Sequence, residues 1–394
     1  MALAALLTAL PAFPQYTFFI PEGSFAIETS LENTGLKRLP IYRNAITSLT
    51  VVEQDIIGGT SAGEGLSPFL FVASLEKRDV TSVLDIGTVV AGQNAIRSGF
   101  VMDQEYQLYA GTMPDTSDKS GGHLLKIKRS ATGKLHLTDL GIPIAGEGIF
   151  SIINDDAFEK LYGISYPSGY FFSYDIQSGK TKVYKGLAPK ESIAHSLNDQ
   201  FSLAPEDFLS CALITDDQGL VYGSLPFGKI FYFNPIDETI NKLEAELPEV
   251  WGRRSLGQVS CWLKTKNGRI FGGNTADGQL FELNPSTKQI RNIGKPIMMS
   301  GLAGLAEGAD GKIYGIAGGK PGYSHLFSFD EREGFKDFGN PEFEMTAPGF
   351  EQGILWRGFQ LGTIAASEKG DYIVMGEVES LSQLLVFPVK SKTP

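Results

Sequence analysis

The sequence predicts an all-β protein: one domain of seven four-stranded antiparallel blades around an axis, a seven-bladed β-propeller whose ring is closed by an N-terminal strand. Three observations carry this. First, an aromatic or aliphatic residue followed by a small one recurs at Ile57-Gly58, Tyr109-Ala110, Tyr162-Gly163, Tyr222-Gly223, Phe271-Gly272, Tyr314-Gly315 and Met375-Gly376. From Gly58 to Gly376 is 318 residues over six intervals, a mean of 53, and a period of that size marks a propeller or a solenoid. Second, the segments around each copy alternate with period 2 between tight-turn residues. Third, no stretch of useful length has a helical period, which excludes helical solenoids.

Turn chemistry orders the elements within a unit. DDQG (216–219), KNG (266–268), ADG (309–311) and EKGD (368–371) each precede a copy of the signature. Gly and Asn accept positive φ, so these are hairpin turns. Strand A therefore lies before the turn, and strand B carries the signature. After a short loop comes strand C: YFFSYD (170–175), KIFYFN (229–234), QLFELN (279–284) or HLFSFD (325–330). A second turn, such as DIQSGK (175–180) or NPSTKQ (284–289), leads to a short strand D ending near a glycine, as in IRNIG and FKDFG. Four antiparallel strands per unit make a propeller blade. A blade is covered on both faces, so it needs bulky apolar residues on both, and the chain holds 26 Phe.

The last unit, about 361–389, shows only three strands: GTIAAS, DYIVMG and QLLVFPV. The segment LKRLPI (36–41) shares the phase of IRNIGKPI (290–297) and precedes the first unit, so it is expected to supply the missing strand D. Closure of this kind removes free sheet edges. The whole chain, 1–394, is then one domain, with an N-terminal segment at 1–35, the closing strand at 36–41 and blades over 46–389. The opening MALAALLTALPAFPQ has the apolar run of a secretory signal but no basic residues before it. It reads as the remnant of an export signal, placing the protein in a secreted or periplasmic setting. The alternative is a segment packed on the fold, which leaves a cytoplasmic setting open. No apolar run approaches the roughly 20 residues that cross a bilayer.

The dG-x-[IL]-[YF]-G and [YF]-x-[DN]-P-x-T/SGK signatures resemble those of seven-bladed propellers of the streptogramin-lyase-like, NHL-like and quinoprotein-like kind, over nearly the whole chain. The resemblance implies the fold. These families include lyases, lactonases and pure binding proteins, so it implies no single activity.

Composition narrows the partners. A formal net charge of −11 argues against nucleic acid or an anionic membrane as a partner through bulk electrostatics. Cys211 and Cys261 are too few for a disulfide framework and lack zinc spacing. They share a phase at the start of strand A in blades 4 and 5, and are expected as buried reduced thiols. His123 and His325 begin strand C of non-adjacent blades and His136 falls on a rim strand, so no histidine metal site is expected. No cofactor is required by the sequence. A calcium or magnesium ion held by channel carbonyls would be compatible with it but would leave no signature.

In a propeller the D–A loops lie nearest the axis on one face, and two of them share a pattern. VWGRRSLGQ (250–258) and LWRGFQLG (355–362) place Trp251 and Trp356, and Arg253, Arg254 and Arg357, at matching distances before their signature glycines. Gln258 and Gln360 follow just ahead of the inner strands, and Arg97 precedes strand A of blade 2. Arginine offers a planar fork for carboxylate or sulfate, and tryptophan a flat face for a sugar ring. The expected site is therefore a channel mouth that binds a glycan or small anionic ligand. The alternatives are a lyase or hydrolase acting on acidic carbohydrate, and an interaction subunit of a surface assembly with a protein partner. For the enzyme, His195, in the long insertion 187–208, and Glu147, in IAGEGIF, are the candidate proton-transfer residues.

Overall fold

The computed structural model describes residues 22–29 and 45–391, apart from 131–132, 158, 189–207, 249–256, 276, 299–300, 320–321, 347–354 and 380–381. Seven antiparallel sheets follow one another along the chain and pack face to face as the blades of a ring. The inner strands are Ile46–Val52, Gln93–Ile96 with Val101–Met102, Gly148–Asp155, Ile214–Thr215, Val259–Lys264, Leu302–Glu307 and Leu361–Ala366. Five blades carry four strands each. In blade 2 the inner strand is split in two.

The repeated dipeptide has a physical cause in each of its halves. Its glycine lies directly opposite a strand C phenylalanine of the same blade: Gly58 with Phe71, Gly163 with Phe172, Gly223 with Phe231, Gly272 with Phe281 and Gly315 with Phe327. The ring lies flat over the glycine, so a Cβ there would stand 2.1 to 2.6 Å from ring carbons in all five. Where the small residue is Ala110, its partner is Leu125 rather than Phe. The tyrosine half is braced to the preceding turn: the hydroxyls of Tyr109, Tyr222 and Tyr314 donate to Asp103, Asp216 and Asp310 at 3.0–3.1 Å. Each turn is thus tied to the blade interior by one buried ring.

The ring closes with an N-terminal strand, but not the expected one. Phe25–Ile27 pairs antiparallel with Leu384–Pro388, as Phe25 with Val386, Ala26 with Leu385 and Ile27 with Leu384. LKRLPI at 36–41 lies outside the described residues. The position is sealed on both faces, and Phe25, Ala26 and Ile27 are at most 2% exposed. An apolar triplet suits that place, whereas Lys37 and Arg38 would leave charges buried there. Thr29 fixes the end of the strand, its N–H donating to Gln383 Oε1 at 2.7 Å.

Blade 7 carries an addition that the periodicity does not predict. A hairpin of Glu342–Thr346 and Leu355–Arg357 joins the sheet beyond Phe25–Ile27, with Ala26 and Met345 paired in parallel. Phe343 and Trp356 of this hairpin enter the apolar core shared by blades 6 and 7.

Candidate functional site

Six of the seven inner strands contain a one-residue bulge near their start, as between Ile46 and Ser48, Ile149 and Ser151, Val259 and Cys261, Leu302 and Gly304, and Leu361 and Thr363; blade 2 has its own between Gln93 and Ala95. A bulge re-aims the side chains that follow it. In four of these blades a hydroxyl at or just after the bulge points toward the neighbouring blade, and in blade 4, whose inner strand has no bulge, the Cys211 thiol does the same. Ser48 donates to Ile96 O at 2.9 Å, Ser151 to Ser210 O at 2.9 Å, Cys211 to Val259 O at 3.2 Å, Ser260 to Leu302 O, and Thr363 to Ile46 O at 3.5 Å. Five of the seven blade junctions are latched in this way around the axis.

The inner strands enclose an axial cavity of about 370 Å³ to which all seven blades contribute. Aliphatic side chains such as Leu49, Ile152, Ile214, Leu305 and Ile364 alternate in its wall with polar groups, among them Trp262 and the latch residues Ser48, Cys211, Ser260 and Thr363. Among the described residues one charged side chain lines it, Arg97. The sequence IRSGF explains the position of that residue. Gly99, at φ +76, breaks the inner strand of blade 2, and Ser98 Oγ accepts from Gly111 N–H at 2.6 Å. The break leaves Arg97 exposed to the channel. Its guanidinium sits 4.9 Å from the ring of Phe150 in blade 3. No carboxylate among the described residues pairs with it. The latch hydroxyls are engaged with carbonyls, so Arg97 is the strongest uncommitted donor group in the cavity wall.

The other expected site residues that are described do not gather around Arg97 in the cavity wall. His195, Trp251, Arg253 and Arg254 lie outside the described residues. Glu147 accepts from Ser165 Oγ and Ser168 N–H with Oε2, at 2.9 and 3.0 Å, and from Ser168 Oγ with Oε1 at 2.5 Å, which binds the loop before strand A to the B–C loop of blade 3. Trp356 does not line the channel. Its indole N–H donates to Glu377 Oε2 at 2.7 Å within blade 7. Glu377 is 1% exposed, and burial pushes its carboxyl up to about 8. Arg357 faces Glu342 at 3.5 Å. Gln360 donates to Gly322 O at 2.6 Å. Gln258 is 2% exposed, and neither amide atom has a hydrogen-bond partner among the described residues.

Cys211 and Cys261 are both thiols and both line the cavity. Cys261 is buried and Cys211 half-buried. Burial first, and then the neighbouring Cys211, push the Cys261 thiol up to about 12. His123 Nδ1 lies 2.9 Å from Asp139, and His325 Nδ1 lies 3.0 Å from Asp337, so these equivalent histidines serve equivalent strand C–strand D contacts far from one another. The latch residues were missed in the sequence. Their signal is a Ser, Thr or Cys two residues after an apolar residue at the start of strand A, as in ITS, IFS, LSC and LGT, with Ser260 of blade 5 one residue after Val259.

Seven blades with an axial cavity drawn from every inner strand define a seven-bladed β-propeller. Among solved structures, it is similar to virginiamycin B lyase from Staphylococcus aureus, in a catalytically inactive histidine-to-alanine form with quinupristin, at a TM-score of 0.61 and 8% identity over 93% of this chain and 100% of that one. It is similar to the WD40 repeats of RRP9, at 0.56 and 12% identity over 93% and 100%. It is also similar to the extracellular domain of a protein described as a one-component system of B. thetaiotaomicron, at 0.54 and 14% identity over 92% of this chain and 39% of that one. At these identities the likeness is one of fold. No protein-family model matches the chain, and no curated protein matches it in sequence.

Proposed function

We propose that this propeller is a binding protein that takes a small anion into its axial channel against Arg97, with an acidic sugar as the expected class. One observation carries the reading: among the described residues, the only charged side chain in a cavity drawn from seven blades is a cation, and no carboxylate of those residues pairs with it. An arginine in a wall of otherwise uncharged described side chains, on a body of net charge −11, is a focused positive site, and a carboxylate or sulfate matches its fork with two parallel hydrogen bonds. A cavity of about 370 Å³ suits a ligand of one or two sugar rings.

The test is calorimetric titration with glucuronate, galacturonate and a sulfated hexosamine, with neutral galactose as control. Arg97→Ala is expected to weaken anion binding by about tenfold or more, the range of a charge-assisted hydrogen bond, and Arg97→Lys to restore part of it. Equal binding by wild type and Arg97→Ala, or no anion bound at all, refutes the reading. The same samples separate binding from a lyase acting on acidic carbohydrate, because eliminative cleavage leaves products that absorb in the ultraviolet.

A further inference from the structure

Among the described residues, seven of the twelve exposed large apolar side chains lie in B–C or D–A loops, the loops of the channel-mouth face. Among the described residues only two of them bring their rings together. Tyr323, in the B–C loop of blade 6, and Phe359, just ahead of the inner strand of blade 7, have ring centroids 5.2 Å apart at 45°. They are 56% and 38% exposed.

The rings stand on a rigid base. Ser324 N–H donates to Phe359 O at 2.9 Å, and Gln360 Nε2 to Gly322 O at 2.6 Å. Asn340 Nδ2 bridges Ser324 O at 2.9 Å and Gly358 O at 2.7 Å. Two loops from two blades are therefore stitched together directly beneath the pair. Holding exposed rings in this way costs backbone freedom, and what it gains is a preorganised surface.

The groups beside the rings select the occupant. The Arg357 guanidinium lies 5.9 Å from the Phe359 ring centroid and faces Glu342 at 3.5 Å. A donor fork and an acceptor carboxylate thus flank an aromatic surface while neutralising each other. A protein partner with a dry apolar face would bury that ion pair without replacing its water contacts, which is unfavourable. A pyranose ring offers an apolar C–H face to stack on the aromatic rings and a rim of hydroxyls that both donate and accept. Since the ion pair is internally balanced, the platform calls for no net charge on the ligand.

We propose that Tyr323 and Phe359 form a stacking platform for a neutral pyranose ring of a glycan, with Arg357 and Glu342 reading its hydroxyls. This site goes beyond the anion reading and does not depend on Arg97. The experiment is saturation-transfer NMR and calorimetry of the full chain with neutral gluco-, manno- and galacto-configured hexasaccharides, and with decaproline as a non-sugar ligand for aromatic surfaces. At least one hexasaccharide should bind saturably. Tyr323→Ala combined with Phe359→Ala should weaken it by about tenfold, the scale of aromatic stacking, at an unchanged melting temperature. Phe359→Trp should retain binding, and Arg97→Ala should leave it within about twofold of wild type, so the two sites fail separately. Any of three results overturns the proposal: no hexasaccharide saturates while the protein is folded, the double variant binds as well as wild type, or decaproline alone binds.

Discussion

The pairing of glycine under phenylalanine in five blades can be tested in one of them, at Gly272→Ala. A Cβ on Gly272 would stand 2.3 Å from Phe281 Cζ and 2.8 Å from a second ring carbon, where carbon atoms prefer about 3.5–4.0 Å. The ring must withdraw by more than about 1 Å to reach that range. It has little room to do so: Phe281 is 0% exposed and meets Trp262 edge-on at 5.5 Å. Overpacking of this kind costs about 1–3 kcal/mol. Gly272 has ordinary strand geometry, so the added Cβ also restricts the unfolded chain, which returns about 0.4–1 kcal/mol. The net loss expected is about 1–2 kcal/mol. Blade 2 indicates the remedy, since there Ala110 faces Leu125. Phe281→Leu should therefore relieve Gly272→Ala, and urea denaturation of wild type, both single variants and the double should give a favourable coupling of about 1 kcal/mol or more. A stability within about 0.5 kcal/mol of wild type for Gly272→Ala, or additive single effects, would refute the assignment of the glycine to ring clearance.

Three further outcomes follow from the same structure. The Glu377 carboxyl is raised from 4.5 to about 8 by burial, so the folded state keeps a proton that the unfolded chain releases near 4.5; this contribution to stability is complete below that value and is lost as the pH rises to about 8. Glu377→Gln should flatten that slope and raise the urea midpoint at the alkaline end, and an unchanged pH profile would count against a buried protonated carboxyl. In a thiol titration of the native protein at mildly alkaline pH, Cys211 should react and Cys261, buried and with its thiol pushed up to about 12, should not; both should react after unfolding, and native labelling of Cys261 would contradict its burial. Ser151→Ala removes the latch to Ser210 O and should destabilise by about 1 kcal/mol, whereas the same change at the exposed Ser178 should have little effect on the denaturation midpoint.

The blades were legible because their signature is a local constraint. The glycine opposite a ring and the tyrosine tied to its turn lie within one hairpin and recur with it, so period and turn residues recover seven units. The closing strand was not legible for the opposite reason. Phe25–Ile27 is three residues long, has no hairpin partner beside it in sequence even though the turn at Glu22-Gly23 precedes it, and is chosen by a gap between blades that only the assembled ring creates. The match of 36–41 to a rim strand compared two segments of the least constrained strand in the blade. The matched Trp-Arg spacing of two D–A loops was similarly weak, because an inserted hairpin in blade 7 carries Trp356 into the core and toward Glu377. Arg97 was legible by position alone, ahead of an inner strand, and its isolation depends on what the other six blades bring to the cavity. Tyr323 and Phe359 sit in different blades, and nothing in the linear chain links them.

The clasp between the two ends of the chain also sets a timetable. Thr29 and Gln383, which meet in it, are 354 residues apart, and the entropy of bringing such distant segments together must be met before their contacts reward it. On the ribosome the Phe25–Ile27 segment emerges first and has no sheet to join until the seventh blade has been made. Blades 1 to 6 can each fold as they appear, from hairpins whose partners are near in sequence. Closure then waits for blade 7, and any product that stops short of it keeps an apolar triplet and an open sheet edge in view, the kind of exposed surface that makes such species aggregation-prone and that chaperones exist to handle.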